Sequence, residues 1–212
     1  MDIKTYSINP LVAIIDDFIT EDIAQHIINL GKDDLTPTTV TTPDAANMID
    51  SRCKSLSTQM VQWEDPILTK VTTDIADIVR LPPENAEPCK LLHYQGEQDF
   101  VPHSDAFHKN KGGIEQMTRG GQRLFSSMIY LNDCDGGQTT FPALKMQVMP
   151  KMGRLLIFAN TMIGSIDHHP HGIHGALSVN SGEKWAIHFG WRQLAYHKPR
   201  VYPENSGEMV DI

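Results

Sequence analysis

A mainly β, α+β fold is predicted for this chain, a double-stranded β-helix (jelly-roll) core with supporting N-terminal helices. Three features predict it. From Lys90 onward, short apolar runs are separated by Gly, Pro and Asn and never settle into a βαβ rhythm. Before that point, apolar residues recur every three or four positions, which is the helical period. Near the end, Trp185, Ile187, Phe189 and Trp191 fall on one face of an extended segment, while Lys184, Ala186, His188 and Gly190 fall on the other.

Taken in order, Thr20 is placed to cap a first helix striped by Ile23, Ile27 and Ile28, with Gly31 as its stop. Residues 33–50 are rich in Thr, Asp and Pro and read as irregular structure near a site mouth. Asp65 and Pro66 open a second helix, Ile67, Val71, Ile75 and Ile78 form its apolar stripe, and Pro82 with Pro83 closes it. Both stripes are core material. The clearest strands are 126–131, 154–158 and 184–191. Residues 107–120 include Lys109-Asn110-Lys111-Gly112-Gly113 and are expected to form a mobile loop over a site. The expected organisation is a single domain over 1–212: mostly helical support in 1–85, a catalytic jelly roll in 86–195 and a C-terminal tail in 196–212.

Composition sets limits on function. With 212 residues, 40% hydrophobic and 21% charged, the chain can bury a substantial core. A formal charge of −8 disfavours a nucleic-acid partner and predicts better tolerance of neutral or basic partners than of acidic ones. No apolar run approaches the length of a membrane span, and the polar start Met1-Asp2-Ile3-Lys4 lacks a secretory apolar core, so a cytoplasmic, intracellular location is expected. Cys53, Cys89 and Cys134 are odd in number and scattered, as free thiols in a reducing compartment would be. The oligomeric state is not encoded in any of these features.

The chemistry concentrates in His103-Ser104-Asp105, a distant His174, and Lys184 ten residues after it. On an extended strand residues i and i+2 share a side, so His103 and Asp105 can reach one metal ion while Ser104 faces away. Two histidines and a carboxylate occupy one face of Fe(II) and leave open positions opposite. An H-x-D triplet alone is weak, and the run Asp167-His168-His169-Pro170-His171 offers further histidines. A zinc site is the competing reading, but structural zinc usually takes four protein ligands and no cysteine accompanies these histidines.

The wider blocks are more specific. Leu92-His93-Tyr94-Gln95-Gly96 precedes the triplet, and Gly121-Gln122-Arg123, Tyr130-Leu131-Asn132-Asp133, Gly136-Gly137-Gln138-Thr139-Thr140-Phe141-Pro142 and Gly182-Glu183-Lys184-Trp185 follow it. In order and spacing, residues 85–195 resemble the prolyl 4-hydroxylase family of Fe(II)/2-oxoglutarate dioxygenases. The resemblance implies that His103, Asp105 and His174 hold Fe(II), that Lys184 pairs with the far carboxylate of 2-oxoglutarate, and that Tyr94 and Thr139 hydrogen-bond to it. It implies O2 as co-substrate and admits ascorbate as a reductant. The activity implied is of the procollagen-proline type: hydroxylation of a peptidyl proline at carbon 4, with succinate and carbon dioxide as co-products, and a proline-containing peptide or protein as partner.

Arg123 matches a family arginine that contacts substrate, with a structural salt bridge as its alternative. Phe100 stands where the family usually has a tyrosine near the peptide, and Trp191 lies one residue later than the family's tryptophan; both are candidate substrate residues. After His174 the family's Gly and Pro are replaced by Ala176-Leu177-Ser178. These departures touch the acceptor and leave the iron chemistry intact. Hydroxylation of another side chain or of a free amino acid is therefore the alternative activity. A catalytically dead jelly-roll binding module is the alternative of a different class.

Overall fold

The structure is a computed structural model and describes residues 2–196. Residues 197–212 of the expected tail lie outside the described residues.

The chain opens on an antiparallel pair, β1 (Ile3–Ile8) and β2 (Leu11–Ile15), and enters α1 (Glu21–Gly31). Thr20 takes the N-cap position with extended backbone, but its side chain makes no capping hydrogen bond. Gly31 ends the helix without a left-handed turn, at φ −134°. Its lack of a side chain has another use: a Cβ there would press on Thr58 and Leu91, so glycine lets the helix end against the sheet.

Three short strands follow, β3 (Thr36–Pro37), β4 (Thr39–Val40) and β5 (Met48–Ile49), and then β6 (Leu56–Met60). The second helix, α2 (Pro66–Val79), starts where expected: Asp65 accepts a hydrogen bond from the Leu68 backbone N–H at 2.9 Å, and Pro66 sits in the first turn. It stops at Arg80, which takes the left-handed conformation at φ 57° before the prolines are reached.

The expectation of mostly helical support over 1–85 needs correction. Four of its strands, β1, β2, β3 and β6, are members of the main sheet. The segment Leu11-Val12-Ala13-Ile14-Ile15 is continuously apolar, and such a run carries no periodicity to separate strand from helix.

The remaining elements are β7 (Cys89–Gln95), β8 (Phe100–His103), α3 (Lys111–Met117), β9 (Arg123–Tyr130), β10 (Asp135–Gly136), β11 (Thr139–Phe141), β12 (Met146–Val148), β13 (Leu155–Ala159), β14 (His174–Ala176), β15 (Val179–Ser181) and β16 (Glu183–Arg192). The main antiparallel sheet has the order β1-β2-β13-β9-β16-β7-β6-β3, and a smaller sheet runs β12-β11-β14-β8. Each face of the main sheet has its own apolar layer. On one face, Ile27, Leu68, Val71 and Ile75 of the helices pack with Leu91, Ile129, Ile187, Phe189 and Trp191. On the other, Tyr130, Phe158 and Ala186 pack with Phe141 and Val148 of the smaller sheet. This is the helix-covered jelly roll that the alternation along β16 predicts, with bulky residues toward the helices and small ones toward the second sheet.

The connection expected as a mobile loop carries α3. Asn110 caps it by accepting from the Gly113 N–H at 2.9 Å, and the Gly112 N–H donates to the Pro43 carbonyl at 3.1 Å. The segment is thus clasped to the Thr-rich stretch between β4 and β5. Both line the mouth of a cavity of about 910 Å³ between the two sheets.

Candidate active site

The smaller sheet builds one wall of this cavity. β8 and β14 are antiparallel neighbours, and their register places His103 directly opposite His174, with ring centroids 4.5 Å apart. β8 ends at His103, so Asp105 comes from the bend just beyond the strand and not from the strand itself. Its Oδ1 lies 3.6 Å from His103 Nε2 and its Oδ2 lies 3.8 Å from His174 Nε2. Ligand atoms of all three residues fall within 4.8 Å of one another.

Both imidazoles are set for a metal. His103 Nδ1 donates to the Val101 carbonyl at 2.9 Å and His174 Nδ1 donates to the Gly172 carbonyl at 3.1 Å. A carbonyl only accepts, so each Nδ1 carries the proton and each Nε2 presents a lone pair to the cavity. Burial, helped by the neighbouring His103, pushes His174 down to about 4, which keeps it neutral. Burial alone would raise Asp105; the charge of Arg123, with His103 and His174 close by, outweighs it and holds the carboxylate well below its usual range. Two imidazole Nε2 atoms and one carboxylate on a single face fit Fe(II).

Asp105 has an outer set of partners that sequence reasoning missed. Ser126 Oγ donates to its Oδ2 at 2.5 Å, and Asn160 Nδ2 donates to Ser126 Oγ at 3.0 Å. His188 Nε2 lies 3.2 Å from the same Oδ2. His188 was legible in principle, since alternation along β16 puts it on the face of Lys184. Ser126 lies on a different strand, and no spacing in the sequence links it to Asp105.

The main sheet builds the opposite wall. Lys184 is 1% exposed, pairs across β16 and β7 with Tyr94, and donates from Nζ to the Gly137 carbonyl at 2.7 Å. The Tyr94 and Tyr130 rings lie 4.9 and 5.4 Å from its ammonium. No carboxylate lies within ion-pair distance of it among the described residues, and burial pushes it down to about 8. At Gly137, φ is +66° and a Cβ would stand 3.0 Å from Lys184 Cδ, so glycine clears the space the lysine stem needs. Thr139 Oγ1 accepts from Tyr130 Oη at 2.7 Å. Lys184, Tyr94 and Thr139 all line the cavity that holds the metal-ligating group. A buried ammonium, aromatic walls and hydroxyls fit a dicarboxylate such as 2-oxoglutarate.

The remaining candidates divide. Phe100 lines the cavity, and its ring stacks on His103 with centroids 3.6 Å apart. Arg123 lines it too, but makes a bidentate pair with Glu87, 2.7 Å at each contact, and reaches Asp105 Oδ1 at 3.4 Å. Trp191 does not line it: the side chain is fully buried on the helix side of β16 and its Nε1 donates to Ser127 Oγ at 2.9 Å, which corrects its assignment as a substrate residue. The competing histidines stay apart from the metal-ligating group. His169 Nε2 meets Asn9 Oδ1 at 3.0 Å, His171 lies beside His169, and the His168 ring packs against His108. Cys53, Cys89 and Cys134 are free.

A jelly roll with two histidines and an aspartate facing a buried lysine defines a class, the Fe(II)- and 2-oxoglutarate-dependent dioxygenases, which use O2 as co-substrate. Residues 89–192 match the 2OG-Fe(II) oxygenase superfamily. The chain is 30% identical over 207 residues to probable prolyl 4-hydroxylase 10 of Arabidopsis thaliana, covering 87% of this chain and 69% of the relative. It is 29% identical over 205 residues to probable prolyl 4-hydroxylase 8 of the same plant, with the same shares covered. Among solved structures, it superposes on the viral collagen prolyl hydroxylase of Paramecium bursaria Chlorella virus-1 in complex with 2-oxoglutarate, with TM-score 0.69 and 23% identity over 85% of this chain and 95% of that one. It also superposes on a Trichoplax adhaerens prolyl hydroxylase in complex with a hypoxia-inducible-factor peptide fragment, with TM-score 0.61 and 17% identity over 85% and 83%. The chain belongs to the prolyl 4-hydroxylase family of 2-oxoglutarate-dependent dioxygenases.

Proposed function

We propose that this protein hydroxylates a peptidyl proline at carbon 4. The observation that carries the reading is the sharing of one cavity by the His103, Asp105 and His174 group and the buried ammonium of Lys184. His103, Asp105 and His174 would hold Fe(II), and Lys184, with Tyr94 and Thr139 beside it, would take the far carboxylate of 2-oxoglutarate. When bound, Fe(II) would supply activation of O2 coupled to oxidative decarboxylation of the co-substrate, so that one oxygen atom would go to succinate as carbon dioxide leaves and the other to the acceptor carbon.

The chain's own groups position and shield. Ser126 and His188 fix the Asp105 carboxylate, the Nδ1–H bonds to Val101 and Gly172 fix the two imidazoles, and the cavity walls limit access of water. The names of the Arabidopsis relatives and the peptide held by the Trichoplax enzyme support proline in a peptide as the acceptor. An intracellular setting is part of the proposal and rests on the free cysteines. No helix among the described residues is long and apolar enough to cross a membrane.

The test is mass spectrometry of proline peptides incubated with the wild-type protein, Fe(II), 2-oxoglutarate and ascorbate, with succinate measured in parallel. A gain of one oxygen, placed at carbon 4 by chromatography against standards and matched by succinate, is expected. His174→Ala should abolish both signals, while His168→Ala, His169→Ala and His171→Ala should keep them. Succinate release stimulated by a free amino acid or another side chain, and not by proline peptides, would move the function to that acceptor.

A further inference from the structure

Lys184 is not the only lysine in this cavity. Lys90, Leu92 and Tyr94 alternate on the inner face of β7 and all line it. Tyr94 pairs with Lys184 and Lys90 pairs with His188, so the two lysines are separated by four residues along paired strands. That corresponds to roughly 13 Å between backbone positions. The Lys90 end is the end of Asp105, through the His188 contact to its Oδ2.

Around Lys90 the cations outnumber the anions available to them. Glu87 is engaged by Arg123 and Arg192, and Asp105 by Arg123, Ser126 and His188. Lys90 itself donates only a long hydrogen bond, 3.5 Å, to the Thr39 carbonyl, and no carboxylate lies within ion-pair distance of it among the described residues. Burial and the charge of Arg123 push its pKa below the ordinary lysine value. A half-buried ammonium in a cavity, repelled by Arg123, attracted by Glu87 and Asp105 only from beyond ion-pair distance and held by one weak contact, is stabilised by an incoming anion. With 2-oxoglutarate assigned to Lys184, the opposite end of the cavity is left for a group of the substrate.

We propose that Lys90 binds a carboxylate of the substrate, so that the enzyme selects prolines with an acidic group beside them. The inference rests on the prolyl hydroxylase reading and adds to it the charge of the sequence read. It reverses locally what the net charge of −8 suggests. Charges spread over the surface are screened within about 8 Å at physiological salt, whereas a contact inside the cavity is screened far less.

The experiment uses proline peptides identical except for Glu, Gln or Lys next to the acceptor, and a second set ending directly after the proline in a free or an amidated carboxyl group. Dissociation constants are read by fluorescence anisotropy on full-length protein loaded anaerobically with Fe(II) and 2-oxoglutarate, and succinate release is read in air. The Glu peptides or the free-carboxyl peptides should bind about 10-fold more tightly than their neutral counterparts. Whichever set shows the preference tells a side-chain carboxylate from a terminal one. The ratio should fall to about 1 in Lys90→Met, which keeps the apolar stem, and should invert in favour of Lys peptides in Lys90→Glu. Equal binding of Glu, Gln and Lys peptides by the wild type, with no difference between free and amidated ends, would overturn the inference, as would a preference that survives in Lys90→Met. If neutral peptides are hydroxylated but acidic ones gain nothing, only the role of Lys90 fails. If no proline peptide of any charge stimulates succinate release, the prolyl reading fails with it.

Discussion

At the scale of single residues, the site works by leaving selected groups incompletely paired. Lys184 is enclosed by two aromatic rings and one carbonyl, with no carboxylate to neutralise it among the described residues. A buried ammonium in that position is a built receptor for an anion. Lys184→Ala should therefore raise the 2-oxoglutarate KM by about 10-fold or more, since a charge-assisted hydrogen bond contributes roughly 1.5 to 3 kcal/mol. Iron binding should persist. In the wild type the same KM should climb as pH rises through about 8, because the neutral amine loses the pairing charge, and that climb should be missing in the variant. Steady-state kinetics across pH checks both, and a flat wild-type profile with an unchanged variant KM would transfer the carboxylate to another group. The family resemblance, which places a lysine ten positions after the distal histidine, and the small-residue face of β16 together made Lys184 legible as a ligand-facing charge. Trp191 shows the opposite case, because a position in a motif does not say which side of the sheet the ring takes.

At the scale of elements, the cavity mouth is made by two segments far apart in sequence. α3 lies against the stretch between β4 and β5 through the Gly112 N–H to Pro43 bond, and Glu115 reaches the Ala46 N–H at 3.4 Å. Gly112 is required by this closeness, since a Cβ would collide with the carbonyl oxygen of Thr42. Gly112→Ala should force the segments apart and raise the peptide KM by about 10-fold, with little change in the 2-oxoglutarate KM. Parallel kinetics on the two substrates would show it, and equal effects on both would mean that the clasp shapes the whole site. The sequence marks this region only as glycine-bearing and Thr-rich. The helix within it is too short for its periodicity to stand out, and the clasp is a contact between residues about 70 apart in the chain.

At the scale of the whole molecule, Glu87 joins the edge of the core to the site. Its carboxylate is gripped by Arg123 of β9 and approached at 3.4 Å by Arg192 of β16. Burial would raise Glu87, yet the charge of Arg123 and its hydrogen bonds bring it down from 4.5 to about 2. A carboxyl group whose pKa is lowered on folding contributes stability that is present above its unfolded pKa and is lost as pH falls from about 4.5 toward about 2. For this shift the contribution is about 3 kcal/mol. Glu87→Gln should therefore be less stable than wild type by about that amount at pH 7, and the gap should narrow as the solution is acidified below pH 4.5. Urea denaturation of both proteins between pH 7 and pH 3 would test this, and a gap that does not change with pH would show that the pair is not the source.

The sequence by itself determined the fold class and the helix-facing and cavity-facing sides of β16, and its resemblance to a known family pointed to candidate iron and co-substrate residues. The first two follow from short-range period and the third from motifs, and all are written locally in the chain. Only the tertiary structure decided that β1 and β2 extend the main sheet, that Asp105 leaves its strand to meet Ser126 and His188, that Trp191 serves the core, and that Lys90 faces the cavity with no carboxylate within ion-pair distance among the described residues. The physical reason is common to all four. Sheet order, side-chain pairing and the balance of charge inside a cavity depend on residues brought together from distant strands, and neither periodicity nor spacing along one strand specifies its partner.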